Sequence, residues 1–245
     1  MTFKDSTHDI LTRYYEKNGI DETIKIAREM LKSKTHKDSK GFLASVHGEI
    51  CETICELKIY DFMNNHKEQT KDWIVSKGLI LNDPEAKSAY LTELDLTVFT
   101  PYKILVIECK SYGGDKTFVN HCTVKRKSVK SVDVYDQHEK HYRTLMKNFS
   151  EFRLIREDNL KVAPMRIAYF DFSLGSITDL RDDKWKKLMP ILNVDNIDKM
   201  LTTLTNPQIN WNMKYIKRGV DILERKKDVR TKKHYRYVTS IHPSH

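Results

Sequence analysis

Two strand-like segments separated by a short turn most constrain what this chain can fold into. In the first, YLTELDLTVFT (90–100), apolar and polar residues alternate, and Asp95 lies among the polar ones. In the second, KILVIECKSY (103–112), an intensely apolar run ends in Glu108 and Lys110. Runs of this kind and length are typical of β-strands, and the proline between them marks a turn. The two segments therefore predict neighbouring strands.

The rest of the chain alternates between helical and strand-like patterns. Helical spacing of apolar residues covers 6–33, 42–64, 136–152, 197–204 and 213–225. Further strands are predicted at 73–81 and 165–173, and 119–134 is read as one short strand or an extended loop. Helices alternating with strands in this order predict a mixed α/β layered domain.

Asp95, Glu108 and Lys110 form the constellation that suggests chemistry. Residues two apart in a strand project from one face, so Glu108 and Lys110 share a face, and Asp95 can lie beside Glu108 if the strands pair. Two converging carboxylates repel each other but suit a hard cation such as Mg²⁺. A neighbouring lysine can orient water or neutralise charge on a phosphate. The competing interpretation is a solvent-facing strand edge with ordinary charges.

Charge and cysteine content indicate which partners the protein can bind and which cellular compartment it occupies. The formal net charge is +9 and the pI is near 9.2, which favours a polyanion such as nucleic acid, although a merely basic protein is the alternative. The four cysteines show no metal-binding spacing and are expected to be free thiols in a reducing cytoplasm. No signal peptide and no apolar run of the roughly 20 residues that span a bilayer is present, so we expect no membrane association.

The order of several motifs resembles the PD-(D/E)xK nuclease superfamily, and most of all the nuclease-related domain (NERD) family, over residues 41 to 205. The motifs are HGEICE (47–52), TELDLTVF (92–99), ILVIECKSYGG (104–114), DQHEKHYRTL (136–145) and RIAYFDF (166–172). The resemblance implies a restriction-endonuclease-like core in which helices flank a mixed central sheet. It divides the chain into an N-terminal helical extension (1–40), the nuclease core (41–205) and a basic helical C-terminal segment (206–245).

The resemblance also implies roles for individual residues. Asp95 and Glu108 would bind Mg²⁺, for which Mn²⁺ could substitute, together with the backbone carbonyl of Cys109. Lys110 would be the catalytic lysine. The proline that often precedes the first aspartate of this motif is absent here.

Two helices are implied to complete the site. Glu49 would be the helix carboxylate of the metal shell, but Glu52 and Glu56 lie on nearly the same helix face, and a solvated row of glutamates is also possible. Gln137 would support the site or touch the scissile strand. The nearby His138 and His141 are interpreted as surface or phosphate-contacting residues rather than metal ligands.

Two basic segments, 123–130 and 214–236, are candidates for binding phosphates. For the second segment, the alternative interpretation is a solvated helix with a disordered tail. Their predicted nucleic-acid-binding residues are Lys125, Arg126, Lys127, Lys130, Lys214, Lys217, Arg218, Lys226, Lys227, Lys232 and Lys233. The tyrosines within the second segment could stack on unpaired bases.

The sequence thus predicts a Mg²⁺-dependent nuclease, with DNA favoured as substrate and a possible homodimer. The alternatives are a nucleic-acid-binding protein that has lost efficient cleavage, and a ribonuclease or branched-DNA resolving enzyme.

Overall fold

A computed structural model of the chain describes residues 6–33, 40–82, 91–101, 103–127, 129–151, 165–205 and 213–225. The helices are α1 (Thr7–Ser33), α2 (Lys40–Asn65), α3 (Lys67–Thr70), α4 (Val134–Glu151), α5 (Asp183–Leu188), α6 (Ile197–Leu204) and α7 (Met213–Arg225). The strands are β1 (Ile74–Asn82), β2 (Leu91–Phe99), β3 (Ile104–Lys110), β4 (Lys116–Val119), β5 (Thr123–Arg126), β6 (Val129–Asp133), β7 (Met165–Asp171), β8 (Ile177–Asp179) and β9 (Ile191–Leu192).

These elements form two mixed sheets flanked by helices, which confirms the predicted α/β class and its restriction-endonuclease-like core. The first sheet has the strand order β1-β2-β3-β7-β9, and the second has the order β6-β5-β4-β8. The five predicted helical segments and the strands at β1, β2, β3 and β7 are confirmed.

The chain divides into two compact units whose segments interleave along the sequence. Unit 1 comprises Met1–Lys71, Glu108–Tyr135 and Ala168–Thr203, and unit 2 comprises Asp72–Ile107, Asp136–Ile167 and Leu204–His245. The division into residues 1–40, 41–205 and 206–245 inferred from the sequence stays a prediction.

Unit 2 is built on an antiparallel meander. β1 pairs with β2 from Ile74↔Phe99 to Asn82↔Leu91, and β2 pairs with β3 from Phe99↔Ile104 to Leu96↔Ile107. The apolar face of this meander packs against α7, which contributes Ile216, Val220 and Leu223 to the buried cluster. Since these three residues recur at positions i, i+4 and i+7, they form one stripe of the helix. The described part of the basic C-terminal segment therefore belongs to the core of unit 2.

Unit 1 contains the two long N-terminal helices, and α1 packs along α2. Gly19 interrupts α1 with φ 79° and ψ 177°, a conformation that glycine adopts without the steric cost of a side chain. The residue therefore accounts for a kink between two helical halves, one of which buries Leu11 and the other Ala27.

Unit 1 also contains the second sheet, which the sequence did not reveal. β4 pairs antiparallel with β5 and parallel with β8, and β5 pairs with β6. Its inner face buries Phe118 and Val124, and the Phe118 ring meets the edge of Tyr169 with 5.1 Å between ring centroids. Segment 119–134, expected to hold one short strand or a loop, thus forms a β-hairpin of its own.

Candidate active site

The end of β3 places a carboxylate and a lysine together in unit 1. Glu108 follows four buried residues of the strand, and only 1% of its surface is exposed. Lys110 forms an ion pair with it, and the lysine side chain is 25% exposed. Burial of a charged carboxylate is costly unless a counter-charge accompanies it, and Lys110 supplies that charge. The lysine thus compensates Glu108 while keeping access to solvent.

The neighbouring cysteine shows which face of β3 carries this pair. The thiol of Cys51 in α2 lies within hydrogen-bonding distance of Cys109, and burial raises the pKa of Cys51 well above its usual range. Because side chains alternate along a strand, Glu108 and Lys110 project from the face opposite to the one that Cys109 presents to α2.

Asp95 belongs to β2, and its side chain is half-buried. Leu96 of β2 pairs with Ile107 of β3, and Asp95 directly precedes Leu96 in β2. Because side chains alternate along a strand, Asp95 projects from the same face of β2 as Thr97.

Two loops at the ends of β3 and β7 are fastened to each other, still within unit 1. The Ser111 hydroxyl donates a hydrogen bond to the carbonyl of Phe172 (2.8 Å), and the Asp115 carboxylate accepts two from Ser176, at 2.9 and 2.6 Å. We call residues 111–115 and 172–176 together the loop clamp. It fixes the chain that directly follows Lys110.

A buried ion pair lies under the loop clamp. Lys116 Nζ lies 3.2 Å from Asp171 Oδ2, and the two side chains are 0% and 2% exposed. Lys116 also donates hydrogen bonds to the carbonyl of Tyr112 (3.0 Å) and to Ser173. Burial raises the pKa of Asp171, although the charge of Lys116 opposes that effect. This network ties the end of β7 to the loop after β3.

The helix carboxylates of α2 contact α1. Glu49 Oε1 accepts a hydrogen bond from the backbone N–H of His8 (3.3 Å), and Glu56 Oε2 lies 3.2 Å from Nε2 of His8. Glu52 lies between them and is half-buried. Glu49 thus satisfies an N–H in the first turn of α1, a place where the helix dipole favours a carboxylate. Its role as a metal ligand stays a prediction.

Helix α4 of unit 2 contradicts one expectation from the sequence. His138 is fully buried and His141 is 6% exposed, so the interpretation of both as surface residues is wrong. They lie three residues apart and share a helix face with the buried Leu145, and this periodicity directs both rings inward. Gln137 is exposed, and its role stays a prediction.

The predicted phosphate-binding residues are placed as follows. Lys125, Lys127 and Lys130 are exposed on the β5–β6 hairpin, and Arg126 is half-buried. Lys217 and Arg218 are exposed on α7. The side chain of Lys214 and all of Lys226, Lys227, Lys232 and Lys233 lie outside the described residues.

Sequence reasoning missed the Lys116–Asp171 pair and the partner of Arg126. The guanidinium carbon of Arg126 lies 4.2 Å from the ring centroid of Tyr112. One signal was available, because Asp171 ends the apolar strand MRIAYFD, as Lys110 ends the apolar strand β3. A charged residue at the end of a buried strand needs a partner, which the sequence could have prompted us to seek.

Residues 52–167 match the family model described as the nuclease-related domain. The matched segment includes Asp95, Glu108, Lys110 and Gln137, and it begins three residues after Glu49. No curated protein and no solved structure matches the chain. Among the described helices, none combines the length and the apolar character needed to cross a bilayer.

Proposed function

We propose that this protein is a metal-dependent endonuclease that hydrolyses phosphodiester bonds in DNA, because residues 52–167 match the nuclease-related domain model. Asp95 and Glu108 are the proposed metal ligands, and Lys110 is the proposed catalytic lysine. The backbone carbonyl of Cys109 is proposed as a further ligand.

The observation that carries this proposal is the pairing of Glu108 with Lys110 at the end of a buried strand. A carboxylate that is 1% exposed has little value as a solubilising surface charge. Its compensation by a partly exposed lysine keeps one positive group at the surface of the same strand face. Asp95 is half-buried on β2 and projects from the same face of that strand as Thr97.

The proposed donor set fits a hard divalent cation. It consists of oxygen atoms only, two from carboxylates and one from a backbone carbonyl, and Mg²⁺ prefers oxygen ligands and retains several waters. Such an ion lowers the pKa of a bound water and stabilises charge on the scissile phosphate. Lys110 contributes a fixed positive charge that can hold a non-bridging phosphate oxygen or orient the attacking water.

The charge of the chain supports a polyanionic substrate. The net charge is +9, and three lysines are exposed on the β5–β6 hairpin of the unit that contains Lys110. Phosphate contacts of this kind bind nucleic acid without regard to sequence and weaken as salt rises. DNA rather than RNA is the proposed substrate because the chain resembles the PD-(D/E)xK superfamily, which includes DNA-cleaving enzymes.

The test is cleavage of a covalently closed supercoiled plasmid with Mg²⁺, with Mn²⁺ and with EDTA. An endonuclease converts the closed circle to nicked or linear forms, whereas an exonuclease leaves it intact. We expect metal-dependent conversion that falls at least about 100-fold in Asp95→Ala and Lys110→Ala, the scale typical of a lost transition-state contact.

A matched control keeps a folding defect from being mistaken for a catalytic one. Lys199→Ala removes an exposed lysine of α6 in the same unit and should retain cleavage within a few-fold. Cleavage in EDTA, or full activity of Asp95→Ala, contradicts the proposal. Linear single-stranded DNA and RNA of matched length, tested in parallel, identify the polymer that is cut.

A further inference from the structure

Arg126 and Tyr112 form a stacked pair beside the proposed catalytic strand. The guanidinium carbon lies 4.2 Å from the centroid of the tyrosine ring, and both side chains are half-buried. Stacking on an aromatic ring holds the planar guanidinium in one orientation, yet it leaves the N–H groups at the edge of the plane able to donate. The stacking therefore restricts the Arg126 side chain to a narrow set of orientations.

The register of the second sheet separates Arg126 from its neighbour Lys125. Arg126 lies opposite the buried Lys116, whereas Lys125 lies opposite Thr117. Opposed residues share a sheet face, so the two basic side chains project from opposite faces of β5. Lys125 is exposed and Arg126 is half-buried, which agrees with that geometry.

The charge of Arg126 is available for a ligand. Its cross-strand neighbour Lys116 is compensated by Asp171 at 3.2 Å, so the two cations do not form an unbalanced pair. No carboxylate within the described ranges forms an ion pair with Arg126, and its guanidinium there stacks on the Tyr112 ring. A guanidinium held in this way fits a phosphodiester, which it can bind through two parallel hydrogen bonds.

The position of Tyr112 relates this pair to the proposed site. Tyr112 follows Lys110 by two residues, a separation of at most roughly 7 Å along an extended chain. Consecutive phosphates of one DNA strand rise about 3.4 Å along the helix axis, so a separation of this size is on the scale of neighbouring nucleotides. Lys116 holds the carbonyl of Tyr112 at 3.0 Å and the Ser111 hydroxyl holds Phe172, so the loop clamp fixes the ring.

We propose that Arg126, held against Tyr112, binds a backbone phosphate of the cleaved strand one or two nucleotides from the scissile phosphate at Lys110. This inference rests on the proposed nuclease function, since it names how that site holds its substrate. Arg126 makes one specific phosphate contact. Lys125, on the other face of β5, contributes at most diffuse electrostatic attraction.

The experiment measures binding of a fluorescein-labelled DNA duplex by anisotropy with Mg²⁺ present. Every variant is made in the Lys110→Ala background so that the duplex stays intact. We expect Arg126→Ala to raise Kd about tenfold or more, the usual cost of a lost charge-assisted hydrogen bond. It should also reduce the slope of log Kd against log salt by about 0.9, the loss of one phosphate contact. Lys199→Ala, which removes an exposed lysine of α6 in the same unit, is the control and should leave Kd unchanged, whereas Lys125→Ala should raise Kd less than threefold.

Conservative variants separate stacking from charge and from folding. Arg126→Lys keeps the charge but loses the planar stacked group, so its Kd should rise at least fivefold. Tyr112→Leu should weaken binding to a similar degree and add little to Arg126→Ala in the double variant, because the two residues act as one unit. Tyr112→Phe keeps the ring and should bind like the parent.

The outcomes distinguish this inference from the function on which it rests. If Arg126→Lys binds like the parent, or if Arg126→Ala and Lys125→Ala weaken binding equally, the specific phosphate contact is wrong, although plasmid cleavage by the wild-type protein would stand. If the wild-type protein neither cleaves plasmid nor binds the duplex, both the inference and the proposed function fail.

Discussion

Lys116 Nζ and Asp171 Oδ2 lie 3.2 Å apart with both side chains almost fully buried. A buried ion pair is often no more stable than an apolar pair of the same size, but removing one partner leaves an uncompensated charge. Here that charge would lie beneath the loop that follows Lys110, whose Tyr112 carbonyl Lys116 also holds. The stability of unit 1 therefore depends on both members being present.

We predict that Asp171→Ala lowers the free energy of unfolding by about 3–5 kcal/mol, since it leaves the Lys116 ammonium buried without a counter-charge. Urea denaturation followed by circular dichroism measures the change. Glu29→Ala is the control, because it breaks the exposed Lys32–Glu29 pair (2.8 Å) and should cost less than about 1 kcal/mol. A loss in Asp171→Ala no larger than that of the control would show that the pair does not stabilise the fold.

Gly175 is required by the close approach of the two loops of the clamp. A Cβ at this position would lie 1.9 Å from the carbonyl oxygen of Gly114 and 2.9 Å from the backbone nitrogen of Asp115. These contacts involve backbone atoms, which cannot move aside as easily as the end of a flexible side chain. We therefore predict that Gly175→Ala separates the loops and lowers the melting temperature. It should also reduce cleavage, because the chain after Lys110 loses its support.

Gly113→Ala is the matched control for this prediction. It changes a glycine of the same loop, but a Cβ there meets no atom within 4 Å. Its melting temperature and activity should stay close to those of the wild-type protein. Equal melting temperatures for the Gly175→Ala and Gly113→Ala proteins would refute the proposed steric requirement.

The carboxyl of Asp115 should titrate at unusually low pH. Hydrogen bonds from the hydroxyl and the backbone N–H of Ser176 lower the pKa of Asp115 below its usual value near 3.8. A pKa that is lower in the folded state stabilises the fold above pH 3.8, and that stabilisation is lost as the pH falls through the folded value. The contribution of these hydrogen bonds to stability should therefore be lost only after the pH has fallen below 3.8.

The measurement is the pKa of Asp115 by carbon-detected NMR titration. Ser176→Ala removes the hydroxyl donor and should move the pKa up toward 3.8. An Asp115 pKa that is unchanged by Ser176→Ala would mean that the hydroxyl contributes nothing to the clamp.

The sequence predicted the elements that have a long apolar period and missed those that are defined by pairing between distant segments. α1, α2 and the β1–β3 meander were predicted because their apolar periodicity extends over many residues. The second sheet was missed because its strands have only three to five residues each, too short for a period to emerge. Those strands are defined by pairing with one another, which a local pattern does not encode.

The candidate site divides in the same way. Glu108 and Lys110 were visible because charge is unexpected at the end of an apolar strand. Two further contacts, Tyr112 with Arg126 and Lys116 with Asp171, could not be predicted from local sequence patterns. The members of each pair come from different strands or loops. The burial of His138, by contrast, followed from helical spacing and could have been predicted.

The contact between Glu49 and α1 allows its proposed metal role to be tested against a structural one. Glu49 accepts a hydrogen bond from the His8 backbone N–H in the first turn of α1. Moreover, Cys109 rather than Glu108 is the residue that β3 presents to Cys51 of α2. We therefore expect Glu49→Ala to lower the free energy of unfolding by about 1 kcal/mol, the usual cost of a lost helix N-terminal acceptor. Its effect on cleavage at saturating Mg²⁺ should be small.

Mg²⁺ titrations of plasmid cleavage by Glu49→Ala and Glu52→Ala separate the two roles. A metal ligand would raise the Mg²⁺ concentration needed for half-maximal cleavage by about tenfold or more, because each lost oxygen ligand weakens the site. An acceptor for α1 would change the stability and leave that concentration unaltered. A large rise in Glu49→Ala together with unchanged stability would restore Glu49 as the helix carboxylate of the metal site. The same rise confined to Glu52→Ala would transfer that role to Glu52, which is the first residue of the matched nuclease-related segment.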